Sequence, residues 1–284
     1  MGPKIPLGLW IQEAVGQLTS HFESQFRVFS EGLSETLGKS IDFLSWFHPL
    51  GLILALTVFV FLMGRNLKSS LFTLIGLTLI LNLGYWHETL ETVVLVIFST
   101  LISAGIGIPL GILCARRSKL YQVVQPALDL MQTIPTFVYL IPTLMLFGLG
   151  LAPGVISTVI FAMPAPIRMT YLGMTHVPKE LKEVGQAFGA TFWQQLFQVE
   201  IPHALPAIRA GLSQCVMLSL SMVVIAALVG ADGLGKPVVQ ALNTVNIAKG
   251  FEAGIVIVIV AIFLDRLLMM KPRKYENKPM VVEG

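Results

Sequence analysis

Charged side chains are scarce in this 284-residue chain, because Lys, Arg, Asp and Glu make up only 12% of it. That is about half the share found in soluble proteins, whereas apolar residues reach 55%. So few charges cannot cover the outside of a soluble fold with so large an apolar content. A net charge of only +3, without a long basic block, also excludes a protein that follows a nucleic-acid backbone. The composition therefore predicts an integral membrane protein in contact with the lipid bilayer.

Cysteine and known catalytic motifs are scarce too. The two cysteines, Cys114 and Cys215, lie in separate apolar stretches, which favours small buried side chains over a disulfide framework. The sequence contains no HExxH motif and no nucleophile elbow. His87, Glu88 and Glu91 could ligate a metal, but the helix dipole explains carboxylates near a helix start as well. We therefore predict neither catalytic residues nor metal ligands.

Stretches without Lys, Arg, Asp or Glu mark the segments that can cross a membrane, which takes roughly 20 helical residues. A long stretch between Asp129 and Arg168 accommodates a helical hairpin. Five other stretches accommodate one helix each: Asp42 to Arg65, Lys68 to Glu88, Glu91 to Arg116, Arg209 to Asp232, and about 251–270. The last is rich in β-branched residues, but an open strand could not satisfy its backbone in lipid. The sequence therefore predicts an all-α integral membrane protein with about seven spans.

The distribution of Lys and Arg predicts the orientation of these spans. If the N-terminus lies outside, fourteen of the 19 basic residues fall on the opposite side, among them Lys119, Arg168 and Lys274. An excess of Lys and Arg marks the cytoplasmic side. The residues after Lys4 offer no apolar core of the length that a cleavable signal peptide needs. We expect a multi-pass protein of a bacterial-type cytoplasmic (inner) membrane, with its N-terminus outside and its C-terminus in the cytoplasm.

Apolar residues recur at helical spacing through the first 45 residues, from Leu7 to Leu44, with polar residues between them. This pattern predicts a long amphipathic helix at the extracytoplasmic membrane surface. A helix that packs against another protein explains the same pattern. The predicted domains are the amphipathic helix at 1–45, two accessory transmembrane helices at 46–86, a transmembrane core at 87–270 and a cytoplasmic tail at 271–284.

The largest polar segment after this helix lies at 177–203, on the predicted cytoplasmic side. Pro178 suits a helix start, and Gly189 can end that helix by adopting a positive φ. A second short helix would begin near Thr191 and stop before Pro202, because proline interrupts helical hydrogen bonding. Two short helices around a glycine would form a compact knob suited to contact with a soluble partner.

The residues of this segment follow a distinctive spacing. Glu183-Val184-Gly185 is followed after three residues by Gly189, and after nine more by Val199-Glu200-Ile201-Pro202. The pattern resembles the EAA loop of ABC importer permeases, Glu-Ala-Ala-x3-Gly-x9-Ile-x-Leu-Pro. Every spacing is kept, and the replacements are small or apolar residues.

Three further stretches, at 129–140, 163–170 and 218–227, resemble permeases of glycine betaine/proline-type importers. The likeness covers about residues 84–266. It implies the type I ABC importer transmembrane fold, with 87–270 as its core, in which two permease copies form a homodimer. It also implies a separate ATPase subunit, which uses ATP and Mg, and an extracytoplasmic substrate-binding protein.

The resemblance implies roles for particular residues. The coupling segment, residues 177–203, would dock into the ATPase and rock the spans when the ATPase closes on ATP. Its coupling residues would be Glu183, Val184, Gly185, Gly189, Val199, Ile201 and Pro202. An outer gate turn would consist of Gly233, Leu234 and Gly235, ahead of a gate helix at 238–248.

The resemblance also implies the cargo, a betaine-type quaternary ammonium osmolyte such as glycine betaine, proline betaine, choline or carnitine, or else proline. Import of such an osmolyte would serve osmoprotection. One alternative is an importer permease for another small substrate, such as an amino acid. The other is a membrane scaffold subunit that carries the knob but conducts nothing.

A string that resembles a nucleotide-binding loop runs from Gly230 to Pro237 and fits G-x4-G-K. Pro237 stands where such a loop needs a Ser or Thr to hold Mg²⁺. The string also follows an apolar helix on the predicted outer side. We therefore expect this chain to bind no cofactor itself, with ATP and Mg used by the partner ATPase.

Aromatic faces hold a quaternary ammonium group best, because the group donates no hydrogen bond. The break that Pro135 imposes on the fourth span makes Met131, Phe137 and Tyr139 candidates for lining the substrate path. Asn243 is a further candidate near the outer gate. Packing against lipid or other helices explains these side chains equally well.

Two carboxylates, Asp129 and Asp265, lie near the inner ends of predicted spans. Charged residues inside membranes are candidates for function by default. Asp265 could equally form a simple interfacial pair with its neighbour Arg266.

The charge asymmetry predicts that Ser20→Cys and Lys274→Cys place their thiols on opposite sides of the membrane. In a background without Cys114 and Cys215, a membrane-impermeant maleimide should label position 20 in intact cells. It should label position 274 only after the membrane is permeabilised. Labelling of both positions from the same side would contradict the seven-span arrangement.

Overall fold

The computed structural model describes residues 7–64 and 66–270, and every regular element in that part of the chain is helical. Residues 1–6 and the predicted tail at 271–284, with Lys274, lie outside the described residues. The α-helices are, in chain order, α1 (Leu7–Ser45), α2 (Pro49–Gly64), α3 (Leu67–Asn82), α4 (Trp86–Arg116), α5 (Ser118–Thr133), α6 (Thr136–Phe147), α7 (Leu151–Ala162), α8 (Pro164–Thr175), α9 (Lys179–Ala187), α10 (Phe192–Gln194), α11 (Ile201–Ala226), α12 (Gly235–Asn243) and α13 (Ile247–Met269). A π-helix (Gln195–Glu200) precedes α11, and a 3₁₀-helix (Ala227–Val229) follows it.

Within the described residues, four helical runs are long and apolar enough to cross a membrane: Trp86–Arg116, Leu151–Thr175, Phe192–Val229 and Ile247–Met269. Two bent pairs pass the same test together, namely α1 from Thr19 onwards with α2 (93°) and α5 with α6 (96°). Helix α3 is apolar but has only 16 residues. The helices therefore fit the predicted all-α membrane fold, whereas the count of seven spans stays a prediction.

Helix α8 packs against both α4 and α11, and glycines allow the close approach. A Cβ added to Gly111 of α4 would lie 2.7 Å from the carbonyl oxygen of Ile167. A Cβ added to Gly211 of α11 would lie 2.7 Å from the Cβ of Met169. Small residues matter here because lipid supplies no hydrophobic drive for helix association, so close packing has to stabilise the contact.

The N-terminal helix α1 has 39 residues and is kinked at Phe22, where φ is −118° and ψ is 18°. Its second half packs against α4, α6 and α7 of the same chain. Leu37 and Ile41 are buried in the main apolar core, and the hydroxyl of Ser30 donates a hydrogen bond to the carbonyl of Phe147 (2.8 Å). The structure thus adds a packing partner that neither sequence-based alternative, a membrane surface or another protein, included.

The predicted gate helix at 238–248 is wrong in both of its ends. Helix α12 begins at Gly235 and ends at Asn243, and α13 begins at Ile247 rather than near residue 251. Asn246 explains the break, because its side chain accepts a hydrogen bond from the backbone N–H of Lys249 (3.1 Å) and so caps α13. Val245, with φ of 51°, turns the chain between the two helices.

The close approach at Gly111 predicts that Gly111→Ala destabilises the fold, because the new methyl group meets the backbone of α8. We expect the free energy of unfolding to fall by about 1–3 kcal/mol, measured by thermal unfolding in detergent. Gly105→Ala is the matched control on the same helix, since a Cβ there meets no atom within 4 Å. Alanine favours helices over glycine, so the control should keep or gain stability. An equal loss in both variants would refute the close-packing account.

Candidate functional site

The first half of the coupling segment consists of α9 and the turn that ends it. Gly189 has φ of 71°, as its proposed role in ending a helix requires. The N–H of Gly189 donates to the carbonyl of Gln186 (2.9 Å), and the N–H of Ala190 donates to the carbonyl of Gly185 (3.0 Å). This pair of bonds is a Schellman motif, which satisfies the last carbonyls of the helix. The predicted helix and its end at Gly189 are confirmed.

The second half begins at Thr191, as predicted, with a reciprocal capping box. The hydroxyl of Thr191 accepts a hydrogen bond from the backbone N–H of Gln194 (3.4 Å). The side-chain oxygen of Gln194 in turn accepts one from the backbone N–H of Thr191 (2.8 Å). Such a box fixes a helix start by local contacts alone.

The prediction that this second helix stops before Pro202 is wrong. The chain continues as one helical run from Phe192 to Val229, through the π-helix and into α11. At the junction the N–H of Ile201 donates to the carbonyl of Leu196, one residue further back than in an α-helix. Pro202 therefore lies in the first turn of α11, a position that tolerates a residue without an N–H.

The coupling segment exposes large apolar side chains to an unusual degree. Glu183 is exposed, and Val199 and Ile201 are partly buried. The ring of Trp193 stacks on that of Phe197, with centroids 5.9 Å apart. Exposed apolar patches of this kind mark interaction sites. The exposed aromatic group consists of Phe188 (88% exposed), Phe192, Trp193 and Phe197.

An ion pair with a buried carboxylate fastens the segment to α4. Nη2 of Arg116 lies 2.7 Å from Oε2 of Glu200, and the residue Glu200 is only 4% exposed. The guanidinium carbon also lies 4.1 Å above the ring of Phe192. Sequence reasoning missed this pair, because the partners stand 84 residues apart. The one local signal was a charged residue between Val199 and Ile201 in an otherwise apolar stretch.

The predicted outer gate turn lies between the 3₁₀-helix and α12. Gly233 has φ of 115°, and a Cβ there would lie 2.7 Å from Oγ1 of Thr92. That hydroxyl oxygen accepts a hydrogen bond from the backbone N–H of the buried Leu234 (2.8 Å). A Cβ at Gly235 would lie 2.6 Å from the carbonyl oxygen of Val223. The turn is therefore packed against both α4 and α11.

Lys236, the lysine of the string that resembles a nucleotide-binding loop, is engaged within its own turn. Its ammonium group donates a hydrogen bond to Asp232 (2.9 Å). This hydrogen bond raises the pKa of the Lys236 ammonium above its ordinary value. Lys236 is thus paired with a carboxylate of the same turn.

The candidate path residues gather only in part. Pro135 stands at the 96° bend between α5 and α6, and the Tyr139 hydroxyl donates a hydrogen bond across it to the carbonyl of Met131 (2.8 Å). Phe137 is exposed on α6. Asn243 is exposed too, but it lies at the end of a different helix, α12. The structure brings Met131, Pro135 and Tyr139 together.

The two carboxylates that the sequence predicts near the inner ends of spans have different partners. Asp129 of α5 pairs with Arg168 of α8, with 2.5 Å between Oδ1 and Nη2. Asp265 accepts a hydrogen bond from the hydroxyl of Ser213 of α11. Its sequence neighbour Arg266 instead lies over the ring of Phe72, 4.8 Å from the centroid. The structure therefore favours a contact between helices over the simple pair of Asp265 with Arg266.

The candidate metal ligands near the start of α4 form a local pair. Nε2 of His87 lies 3.2 Å from Oε1 of Glu91, one helical turn away. Over residues 7–64 and 66–270, no group of three or more His, Cys, Asp or Glu side chains converges. The described part of the chain therefore offers no ligand set for a metal.

Residues 107–270 match the family described as the binding-protein-dependent transport system inner membrane component. The chain belongs to this family. It is therefore a multi-pass membrane component of such a transport system and not an enzyme.

Similar proteins include glycine betaine permeases of several bacteria. The glycine betaine/carnitine transport permease protein GbuB of Listeria monocytogenes is 43% identical over 97% of this chain and 99% of its own length. The glycine betaine transport system permease protein OpuAB of Bacillus subtilis is 44% identical over 93% of this chain and 94% of its own. The glycine betaine/proline betaine permease ProW of Escherichia coli is 39% identical over 93% and 74%.

A solved structure shares the fold. An inward-facing form of the MetNI methionine ABC transporter matches with a TM-score of 0.56 and 26% identity, over 63% of this chain and 91% of that chain. The expected type I ABC importer fold is thereby confirmed. The likeness to a chain of an ABC transporter, together with the family, implies an ATPase partner.

Proposed function

We propose that this chain is the permease subunit of an ATP-driven importer of a betaine-type quaternary ammonium osmolyte, such as glycine betaine, proline betaine, choline or carnitine, or of proline. The observation that carries the proposal is the 43% identity to a glycine betaine/carnitine permease over 97% of this chain and 99% of the relative. Similarity over the full length of both proteins supports a shared cargo class as well as a shared fold.

The proposed importer has two copies of this chain, two ATPase subunits and an extracytoplasmic substrate-binding protein. In the proposed importer ATP and Mg are used by the ATPase. In this chain, Pro237 stands where a nucleotide-binding loop needs a Ser or Thr, and Lys236 is paired with Asp232. The excess of Lys and Arg on one side supports an external N-terminus and a cytoplasmic C-terminus. On that arrangement α1 lies at the outer surface, α2 and α3 are accessory helices, and 87–270 form the core.

The coupling segment is proposed to dock into the ATPase. Its exposed aromatic group offers apolar area of the kind that anchors protein interfaces. Glu183 is exposed and available to a basic partner residue, and the turn at Gly189 sets the angle between the two halves. Val184, Gly185, Val199, Ile201 and Pro202 complete the coupling residues.

At the outer end, Gly233, Leu234 and Gly235 are proposed to form a gate turn. Their packing against both α4 and α11 supports this, since movement of either helix would displace the turn. The substrate path is proposed to run past Met131, Pro135, Phe137, Tyr139 and Asn243. The ring faces of Phe137 and Tyr139 supply the surface that a quaternary ammonium group prefers.

Uptake into proteoliposomes tests the proposed cargo. The reconstituted complex with its ATPase and binding protein should accumulate labelled glycine betaine in the presence of internal ATP and Mg, and the purified permease alone should hydrolyse none. Competition by unlabelled choline, carnitine, proline betaine and proline would define the range. Import of amino acids without betaines would favour the first alternative, and no import of either would favour the scaffold.

The geometry at Gly189 predicts that Gly189→Val impairs coupling because it strains the backbone, without any steric clash of the new side chain. A Cβ there meets no atom within 4 Å, but φ of 71° strains a β-branched residue by roughly 1–3 kcal/mol. We expect ATPase co-purification or substrate-stimulated hydrolysis to fall at least about tenfold, the equivalent of roughly 1.4 kcal/mol. The permease should remain in the membrane.

Gly189→Asn is the matched control, because asparagine tolerates a positive φ far better than valine does. It should retain most of the coupling. Glu183→Ala should have a mild effect, since an exposed ion pair is worth up to about 1 kcal/mol. Normal transport by Gly189→Val with the ATPase fully bound would mean that this segment is not the coupling element.

A further inference from the structure

One arginine contacts both α10 and the π-helix, which together form the second half of the coupling segment. Arg116, the last residue of α4, places its guanidinium over the ring of Phe192 at the start of α10. The same guanidinium pairs with Glu200 at the end of the π-helix. The other carboxylate oxygen of Glu200 accepts a hydrogen bond from Nε2 of Gln195 (3.5 Å). The end of α4 is thus fastened to the whole stretch from Phe192 to Glu200.

Burial makes this contact hard to open. The Glu200 side chain is 6% exposed and that of Arg116 is 28% exposed. Separating the pair would leave a buried carboxylate without a cation, which is strongly unfavourable. Exposed pairs such as Arg27–Glu31, with side chains 77% and 65% exposed, have no such constraint. The pair therefore resists separation of the end of α4 from the second half of the coupling segment.

The first half of the segment reaches this contact by packing. Helix α9 packs against the π-helix, and a Cβ on Gly185 would lie 3.9 Å from the Cγ2 of Val199, next to Glu200. The π-helix is also continuous with α11. A displacement of α9 thus has two routes into the membrane, through the backbone into α11 and through the ion pair into α4.

We propose that Arg116 and Glu200 are positioning residues that transmit the movement of the coupling segment to α4. The inference rests on the proposed function, in which an ATPase moves this segment. The pair makes α4 and α11 move together, and α8 is packed between them at Gly111 and Gly211. Without the pair, the movement would enter through α11, and α4 would receive it only through its packing against α8 and α11.

The test separates a structural role from a coupling role by comparing single and double variants. Arg116→Gln leaves Glu200 buried without a cation, so it should be the least stable variant. The double variant Arg116→Gln with Glu200→Gln removes both charges, and its thermal stability should return toward wild type. Arg27→Gln is the control, because it removes an arginine from an exposed pair.

The complete importer, reconstituted with its ATPase and binding protein, is assayed for glycine betaine imported per ATP hydrolysed. In the double variant we expect this ratio to stay at least about tenfold below wild type, with the ATPase still co-purifying; Arg27→Gln should match wild type. The inference is wrong if the ratio recovers together with stability, or if the double variant is lost from the membrane. A wild-type complex that imports no betaine would instead contradict the proposed function. In that case the stimulation of ATP hydrolysis by the binding protein, measured in the same variants, would still decide the role of the pair.

Discussion

Backbone hydrogen bonding in lipid is the constraint on which the rest of this structure depends. A polar backbone group that faces hydrocarbon has no water to bind, so each span must be helical and must satisfy itself. Helices of this kind attract each other weakly, and close contact at small residues has to hold them. Gly111 and Gly211 supply that contact on the two sides of α8. The chain can therefore bend only where other groups replace the lost bonds, as Tyr139 does beside Pro135.

Local features of the sequence predicted local features of the structure. Uncharged stretches located the apolar helices because their length is set by the bilayer. The spacing around Gly189 predicted a helix end with a positive φ because the Schellman motif involves only residues close in the chain. Thr191 was a sufficient signal for the next helix start, since a capping box needs only Gln194 three residues later. The structural features that could be predicted are those determined by residues close together in the sequence.

The missed features depend on residues far apart or on competition between local signals. No spacing rule connects Arg116 with Glu200, and only the packing of α4 beside the π-helix brings them together. Pro202 indicated a helix end, but the π-turn before it removed the need for its N–H. Asn246 caps the start of α13, and Val245 with its positive φ turns the chain between α12 and α13, inside the stretch that the sequence assigned to a single gate helix. The ion pair thus depended on tertiary packing, whereas at Pro202 and Asn246 one local signal prevailed over another.

Helix α4 is the element that touches both ends of the proposed mechanism. Near its N-terminal end, Oγ1 of Thr92 holds the turn at Leu234, and at its C-terminal end Arg116 holds Glu200. Roughly 36 Å of helix at 1.5 Å per residue separates these two contacts. Pro109 lies between the two contacts, at a position where a helix can kink, so the packing of α4 along α7, α8 and α11 is what supports it over this length. In the proposed mechanism a movement that begins at the coupling segment would therefore reach the outer turn along α4, supported by the helices packed beside it.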